Sequence, residues 1–167
     1  MLNKLCNDFS ITNRTDGTKR LSEAKLCEIV GVSQQYRQSL CRRELIQPAG
    51  RGGCARTDAI ELAAIERLTH HLSPNEVGVA WGQLRGQLRK TLPGGQLDVV
   101  FDRALGTATI ARTDADLRAA VISGRAVLVV ELGPRLQEVL DAFNRWTSAA
   151  TATTETVARG GRRSHSA

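Results

Sequence analysis

The stretch EIVGVSQQYRQSLCRRELIQP, residues 28–48, decides how this sequence is interpreted. An apolar pair is followed by Gly31, a valine and Ser33, and then by a run rich in Gln and Arg. Glycine tolerates the positive φ at which many helices end, and serine is a favoured N-terminal cap. The stretch therefore predicts two helices, 23–30 and 34–44, joined by a tight turn.

The second of these helices carries few apolar residues, namely Tyr36, Leu40 and Cys41. A narrow apolar face with a broad polar face suits a helix that docks on its neighbour and enters the major groove of DNA. The alternative is a helical protein-docking domain, in which the Gln and Arg side chains form only a solvated surface. The net charge of +6 and the sequence pI of about 9.7 favour an acidic partner such as nucleic acid.

Glutamine can pair bidentately with adenine, arginine with guanine, and a helix N-terminus with phosphate. Gln34, Gln35 and Gln38 are therefore candidate adenine contacts, and Arg37 is a candidate guanine contact. The full set of candidate DNA contacts on this helix is Ser33, Gln34, Gln35, Tyr36, Arg37, Gln38, Arg42 and Arg43.

The segment AGRGGCAR, residues 49–56, contains three glycines and follows a proline. It predicts a tight loop or a short hairpin rather than a helix. Arg51 and Arg56 flank the glycines, and such a basic loop can lie on the DNA backbone or in the minor groove. Residues 1–20 are predicted to be a flexible leader, whose basic part, 12–20, either touches phosphates or has no role.

Two more helices are predicted after the loop. The first covers 59–72 with Thr57 or Asp58 as its cap, and the second begins at the start signal Ser-Pro-Asn-Glu of residues 73–76 and runs to about 91. Val77, Trp81, Leu84 and Leu88 recur at heptad spacing on the second helix. This seam is a candidate homodimer contact, and the alternative is that it packs inside its own domain.

The helical pattern ends at LPGG, residues 92–95, which predicts a domain boundary. Beyond it the pattern predicts a β-β-α-β-α module, with strands at 97–102, 105–111 and 126–132, a helix from Thr113 to Gly124, and a last helix opened by Gly133-Pro134. The continuous apolar run 126–132 is typical of a strand buried on both faces. The middle β-α-β unit is expected to cross over between parallel strands.

The predicted fold class is therefore α+β. Residues 21–92 form a four-helix winged helix-turn-helix domain, 96–147 form the small α/β module for dimerisation or partner binding, and 148–167 form a disordered basic tail. A module of this size is marginal alone, so it should pack on the first domain or on a second subunit.

Other signals narrow the class of protein. No apolar run reaches the length of a membrane span and no signal peptide follows Met1, so we expect a cytoplasmic, nucleoid-associated protein. The cysteines at 6, 27, 41 and 54 form no C-x-x-C pair and are expected to be reduced thiols, small buried residues for 27 and 41. No catalytic triad, phosphate-binding glycine motif or metal-ligand spacing is present, so we expect neither an enzyme nor a cofactor.

Two stretches, LSEAKLCEIVGVSQQYRQSLCRRELIQP and, after the Gly/Arg loop, TDAIELAAIERLTHHLSPNEVGVAWGQL, resemble the MerR-type winged-helix DNA-binding domain. The resemblance covers residues 20–91, a little under half of the chain. It departs from that family at Gln38, where the family usually has arginine, and at Glu44, where it has glycine. An excisionase-like cousin fits the same pattern. The resemblance implies a dimeric, promoter-binding transcriptional regulator.

We therefore expect a sequence-specific regulator that binds double-stranded DNA as a homodimer. A recombination directionality factor is the nearest alternative, because it shares the DNA-binding step. A protein-interaction adaptor that does not bind DNA is the alternative from a different class.

Overall fold

The computed structural model describes residues 20–50, 52–90, 96–122 and 127–160. Its elements, in chain order, are α1 Glu23–Val30, α2 Gln34–Arg42, α3 Arg56–Thr69, α4 Pro74–Lys90, β1 Asp98–Asp102, β2 Thr107–Ala111, α5 Asp114–Ile122, β3 Val127–Glu131 and α6 Gly133–Gly160. The protein is α+β, with four helices followed by a β-β-α-β-α module, as predicted from the sequence.

Short polar side chains set the helix starts. The Ser33 hydroxyl accepts the Tyr36 backbone N–H at 3.0 Å and caps α2. Helix α1 ends at Gly31, which has a φ of 74°. The predictions for both sites are confirmed. Helix α3 begins three residues earlier than predicted, because the Asp58 carboxylate accepts the backbone N–H of Ala55 at 2.6 Å and so caps from inside the first turn.

The strands form one antiparallel sheet in the order β2-β1-β3. Strands β2 and β3 run in the same direction, as the crossover prediction requires, but β1 lies between them. The prediction that residues 126–132 are buried on both faces is wrong. The described part, β3, pairs only with β1 and leaves Val129 38% exposed. The fully buried strand is the central one, β1.

One hydrophobic core runs through both halves of the chain. Val99 and Phe101 of β1 point to the same side of the sheet and belong to the cluster that contains Leu68 of α3 and Leu84 of α4. Helix α6 lies against α3 and α1 and adds Leu140 to this cluster. The C-terminal module is therefore packed on the first four helices, which is one of the two arrangements expected for so small a unit.

The proposed dimer seam lies inside this core. Val77, Trp81, Leu84 and Leu88 are at most 2% exposed. The Trp81 indole N–H also donates to the Leu45 carbonyl at 2.6 Å, which ties α4 to the segment after α2. The prediction that this seam is a homodimer contact is wrong for this conformation, because its side chains have no surface left to offer a second copy. The alternative reading, packing within the chain's own fold, is the observed one.

Side chains from the helices hold both outer edges of the sheet. The Gln83 amide of α4 accepts the Ala108 N–H at 2.7 Å and donates to the Gly106 carbonyl at 3.1 Å, so it pairs with β2 as a strand residue would. On the other edge, Arg67 of α3 donates to the Glu131 carbonyl at 3.3 Å. These bonds satisfy polar backbone groups that a three-stranded sheet leaves open.

The end of the chain differs from the prediction. Helix α6 continues to Gly160, so the prediction of a disordered tail is wrong over residues 148–160. The remainder of that tail, 161–167, and the predicted leader up to residue 19 lie outside the described residues.

Helix α2 ends earlier than predicted and in an unusual backbone conformation. It was expected to reach residue 44, but Arg42 is its last residue and Arg43 its C-terminal cap. Glu44 follows with a φ of 59°, and it is the one non-glycine residue with positive φ in the described part of the chain. A residue with a β-carbon is strained there, whereas glycine is not.

We expect Glu44→Gly to raise the free energy of unfolding by about 1 kcal/mol, because glycine removes the steric cost of the left-handed conformation. Urea denaturation measures it. Glu44→Ala is the matched control, since it removes the same carboxylate but keeps the β-carbon. Equal stabilisation by both variants would show that backbone strain is not the cause.

Candidate nucleic-acid interface

A buried arginine on the inner face of α2 holds this helix against α1. Arg37 is 2% exposed, and its guanidinium forms an ion pair with Glu23 of α1. A second guanidinium nitrogen donates to the Gln47 carbonyl at 3.4 Å. The prediction that Arg37 reads guanine is wrong, because its fork is directed into the protein.

The charge of Arg37 is retained in this position. Burial acts to lower its pKa, but the hydrogen bond and the negative charge of Glu23 raise it above its ordinary value. Its Nε atom is buried and has no partner among the described residues. Such a buried cation depends on its acidic neighbour, and it links the first helix to the second.

Two further candidate residues also anchor α2. Tyr36 is half-buried, and its hydroxyl hydrogen-bonds the Thr69 hydroxyl of α3 at 3.1 Å. Arg43 donates to the Pro74 carbonyl, the start of α4, at 2.9 Å. These contacts assign Tyr36 to packing. Arg43 remains on the surface but is tethered at one nitrogen.

The outer face of α2 keeps its polar groups available. Gln34, Gln38 and Arg42 are four residues apart and share one stripe of the helix, with Gln35 beside it. All four are exposed, and none of their side chains forms a hydrogen bond or ion pair with another residue in the described part of the chain. Ser33 is also exposed, although its hydroxyl already caps the helix.

The Gly/Arg segment forms a tight hairpin, one of the two predicted forms. Gly53 donates to the Gly50 carbonyl at 2.9 Å, which closes the turn. Cys54 pairs with Leu21, the residue before the cap of α1, through hydrogen bonds of 2.7 and 3.0 Å. The hairpin is therefore stitched to the beginning of the helical unit.

This pairing places Arg20 beside the hairpin, although the sequence predicted Arg20 to belong to the flexible leader. The guanidinium of Arg20 lies over Gly52, so close that a β-carbon added there would be 3.0 Å from it. Arg20 is exposed, and so is the predicted contact Arg56. Arg51 lies outside the described residues. Leu21 pairs with Cys54 and points into the core, so the side chain of Arg20 before it points to the surface beside the hairpin. The sequence alone does not show this pairing and therefore does not identify Arg20.

The described cysteines contribute little reactive surface. Cys27 and Cys54 are buried and Cys41 is half-buried, all as free thiols. Burial raises the pKa of the Cys27 and Cys54 thiols, which keeps them protonated. Within the described ranges, no group of three or more His, Cys, Asp or Glu side chains is arranged to hold a metal ion.

An open groove of about 430 Å³ lies elsewhere, between the sheet and the start of α6. It is lined by Gln96, Leu97, Asp98, Glu131, Gly133, Pro134 and Gln137. Asp98 and Glu131 are direct partners across β1 and β3. Two neighbouring carboxylates repel phosphate, so the charge of this groove does not favour a nucleic acid.

The turn between α1 and α2 is braced from the C-terminal half. Arg135 of α6 donates to the Val30 carbonyl, at the end of α1, at 2.6 Å. It also forms ion pairs with Glu66 of α3 and Glu138 of its own helix. Burial acts to lower the pKa of Arg135, but these carboxylates raise it above its ordinary value. The C-terminal module thus contacts the unit that presents α2.

Comparison with known proteins does not assign this arrangement to a family. No protein-family model matches the chain, and no curated protein matches it. Among the described residues, no helix combines the length and apolarity that crossing a membrane requires.

We expect Gly53→Ala to lower the free energy of unfolding by about 1–3 kcal/mol, because this φ of 85° is strained for alanine and the new β-carbon would lie 2.7 Å from the Leu21 carbonyl oxygen. Thermal and urea denaturation measure the loss. Gly50→Ala is the matched control, since a β-carbon there meets nothing within 4 Å. Equal losses in both variants would contradict the hairpin geometry.

Arg37→Ala should lower the free energy of unfolding by about 2 kcal/mol, less than for a fully buried pair because Glu23 stays partly in water. Gln38→Ala, on the outer face of the same helix, should change it by less than about 0.5 kcal/mol. Chemical denaturation of both variants provides the comparison. An unchanged stability in Arg37→Ala would show that this guanidinium does not dock α2.

Proposed function

We propose that the protein is a transcriptional regulator that binds double-stranded DNA, with α2 in the major groove and the hairpin Gly50–Gly53 on the backbone or in the minor groove. The observation that carries the proposal is the division of α2 into two faces. Its inner face is fixed by Arg37 and Leu40, while its outer face presents free amides and Arg42. Such a helix suits the reading of base edges.

The surroundings of α2 support the same function. The helix N-terminus, capped by Ser33, favours an anionic group such as a phosphate. Arg20 and Arg56 add exposed positive charge beside the hairpin. The net charge of +6 gives the whole chain an attraction for a polyanion.

The resemblance of residues 20–91 to the MerR-type DNA-binding domain is part of the proposal. Glu44 supports it, because its φ of 59° is the conformation in which glycine is favoured, and that family has glycine at this position. The chain would then keep the family's backbone conformation after α2 although Glu44 replaces the glycine.

A recombination directionality factor would use the same interface. The target separates the two functions: a regulator binds promoter fragments, and a directionality factor binds at a recombination attachment site. Binding genomic fragments and sequencing those retained makes this distinction.

We expect Arg20→Ala and Arg56→Ala each to weaken binding to all duplexes and to reduce the slope of log K against log salt by about 0.9, the contribution of one phosphate contact. Fluorescence anisotropy from about 50 to 200 mM salt measures it. Arg118→Ala is the matched control, since Arg118 is exposed on α5 and carries the same charge.

Two outcomes would contradict the proposed function. The first is the absence of binding to any duplex at about 50 mM salt, where phosphate contacts are strongest. The second is an equal loss in Arg118→Ala, because attraction would then depend on total charge and not on the hairpin.

A further inference from the structure

The burial of Arg37 determines which bases α2 can read. A recognition helix contacts base edges mainly through its first turns. The exposed hydrogen-bonding side chains in the first turns of α2 are the amides of Gln34, Gln35 and Gln38. The next exposed cation, Arg42, lies eight residues beyond Gln34, roughly 12 Å along the helix. The reading end of α2 therefore carries amides and no cation.

An amide is complementary to adenine. Adenine presents a donor at N6 and an acceptor at N7 in the major groove, and a glutamine amide offers the matching acceptor and donor side by side. Guanine presents two acceptors, O6 and N7, and is matched by the two donors of a guanidinium. An amide facing guanine would leave its carbonyl oxygen opposed to O6. The chemistry of this helix face thus discriminates between the two purines.

The spacing of the amides limits the length of the site. Gln34 and Gln38 are one turn apart, about 5–6 Å between their β-carbons. Gln35 is the neighbour of Gln34 and lies three residues before Gln38. Base pairs are stacked about 3.4 Å apart. The three side chains therefore reach two or three adjacent base pairs.

We propose that the DNA site of this protein contains two or three adjacent A·T pairs, whose adenines are read in the major groove by Gln34, Gln35 and Gln38. This inference rests on the proposed function and narrows its target. Arg37 takes no part in the readout, and Arg42 contacts the backbone.

Selection of bound duplexes from a random library by the full chain tests the inference. We expect adjacent A·T pairs in the selected sites, and a loss of roughly 5- to 150-fold in affinity when one of them is exchanged for G·C. Replacing a contacted adenine by 7-deazaadenine, which removes the N7 acceptor but keeps the base pair, should also weaken binding. Gln38→Ala should make binding insensitive to that replacement at one position.

A change of specificity gives the sharper test. Gln38→Arg should convert the preference at one position from adenine to guanine. Gln137→Arg is the matched control, because it adds the same charge at an exposed glutamine of α6 and should leave the selected sequence unchanged. Urea denaturation confirms that both variants are folded.

The outcomes separate the inference from the function beneath it. Selected sites with G·C pairs at the contacted positions, no base preference, or an unchanged preference in Gln38→Arg would overturn the adenine readout while DNA binding stands. A chain that binds no duplex at about 50 mM salt overturns both.

Discussion

The ion pair between Arg37 and Glu23 is the interaction on which the placement of α2 depends. Helix α2 buries Leu40 completely but has little other apolar surface, so hydrophobic burial alone would leave its rotation weakly defined. The guanidinium, held between a carboxylate of α1 and the Gln47 carbonyl, defines that rotation. Once the rotation is set, the outward direction of Gln34 and the other amides follows from the helical repeat.

Local signals were sufficient to predict much of the fold. Gly31 acts through its own backbone conformation and Ser33 through a hydroxyl that reaches a backbone N–H three residues ahead, so the turn between α1 and α2 was predictable. Contacts between distant elements could not be predicted in this way. A buried arginine needs a partner from another helix, which no period in the sequence announces. The apolar run of β3 was misread because the pattern does not say whether other elements cover both faces of the sheet at that strand, and Val129 stays partly exposed. Of the candidate site, the amides keep the predicted exposure, whereas Arg37 does not.

The C-terminal half contributes to the proposed interface without touching it. Arg135 reaches from α6 to the last carbonyl of α1, which lies next to Gly31 and hence next to the turn. Helix α6 also packs on α3, against which Tyr36 holds α2. The outer face of α2, which we propose reads bases, is therefore supported through Arg135, more than a hundred residues from the Val30 carbonyl that it contacts. A ligand that shifts α6 would act on the geometry of the turn.

The continuous core has a consequence for how this protein can change in evolution. Leu140 of α6 and Phe101 of β1 belong to the same buried cluster as the apolar side chains of α3 and α4. Neither half could therefore be moved into another protein without losing part of its core. Cutting the chain between them would expose a broad apolar patch on each fragment. Substitutions on the facing sides of α3 and α6 should depend on one another, since residues in contact are energetically coupled. The two halves must therefore change together, whereas the outer face of α2 has no packing partner among the described residues and its side chains can vary independently.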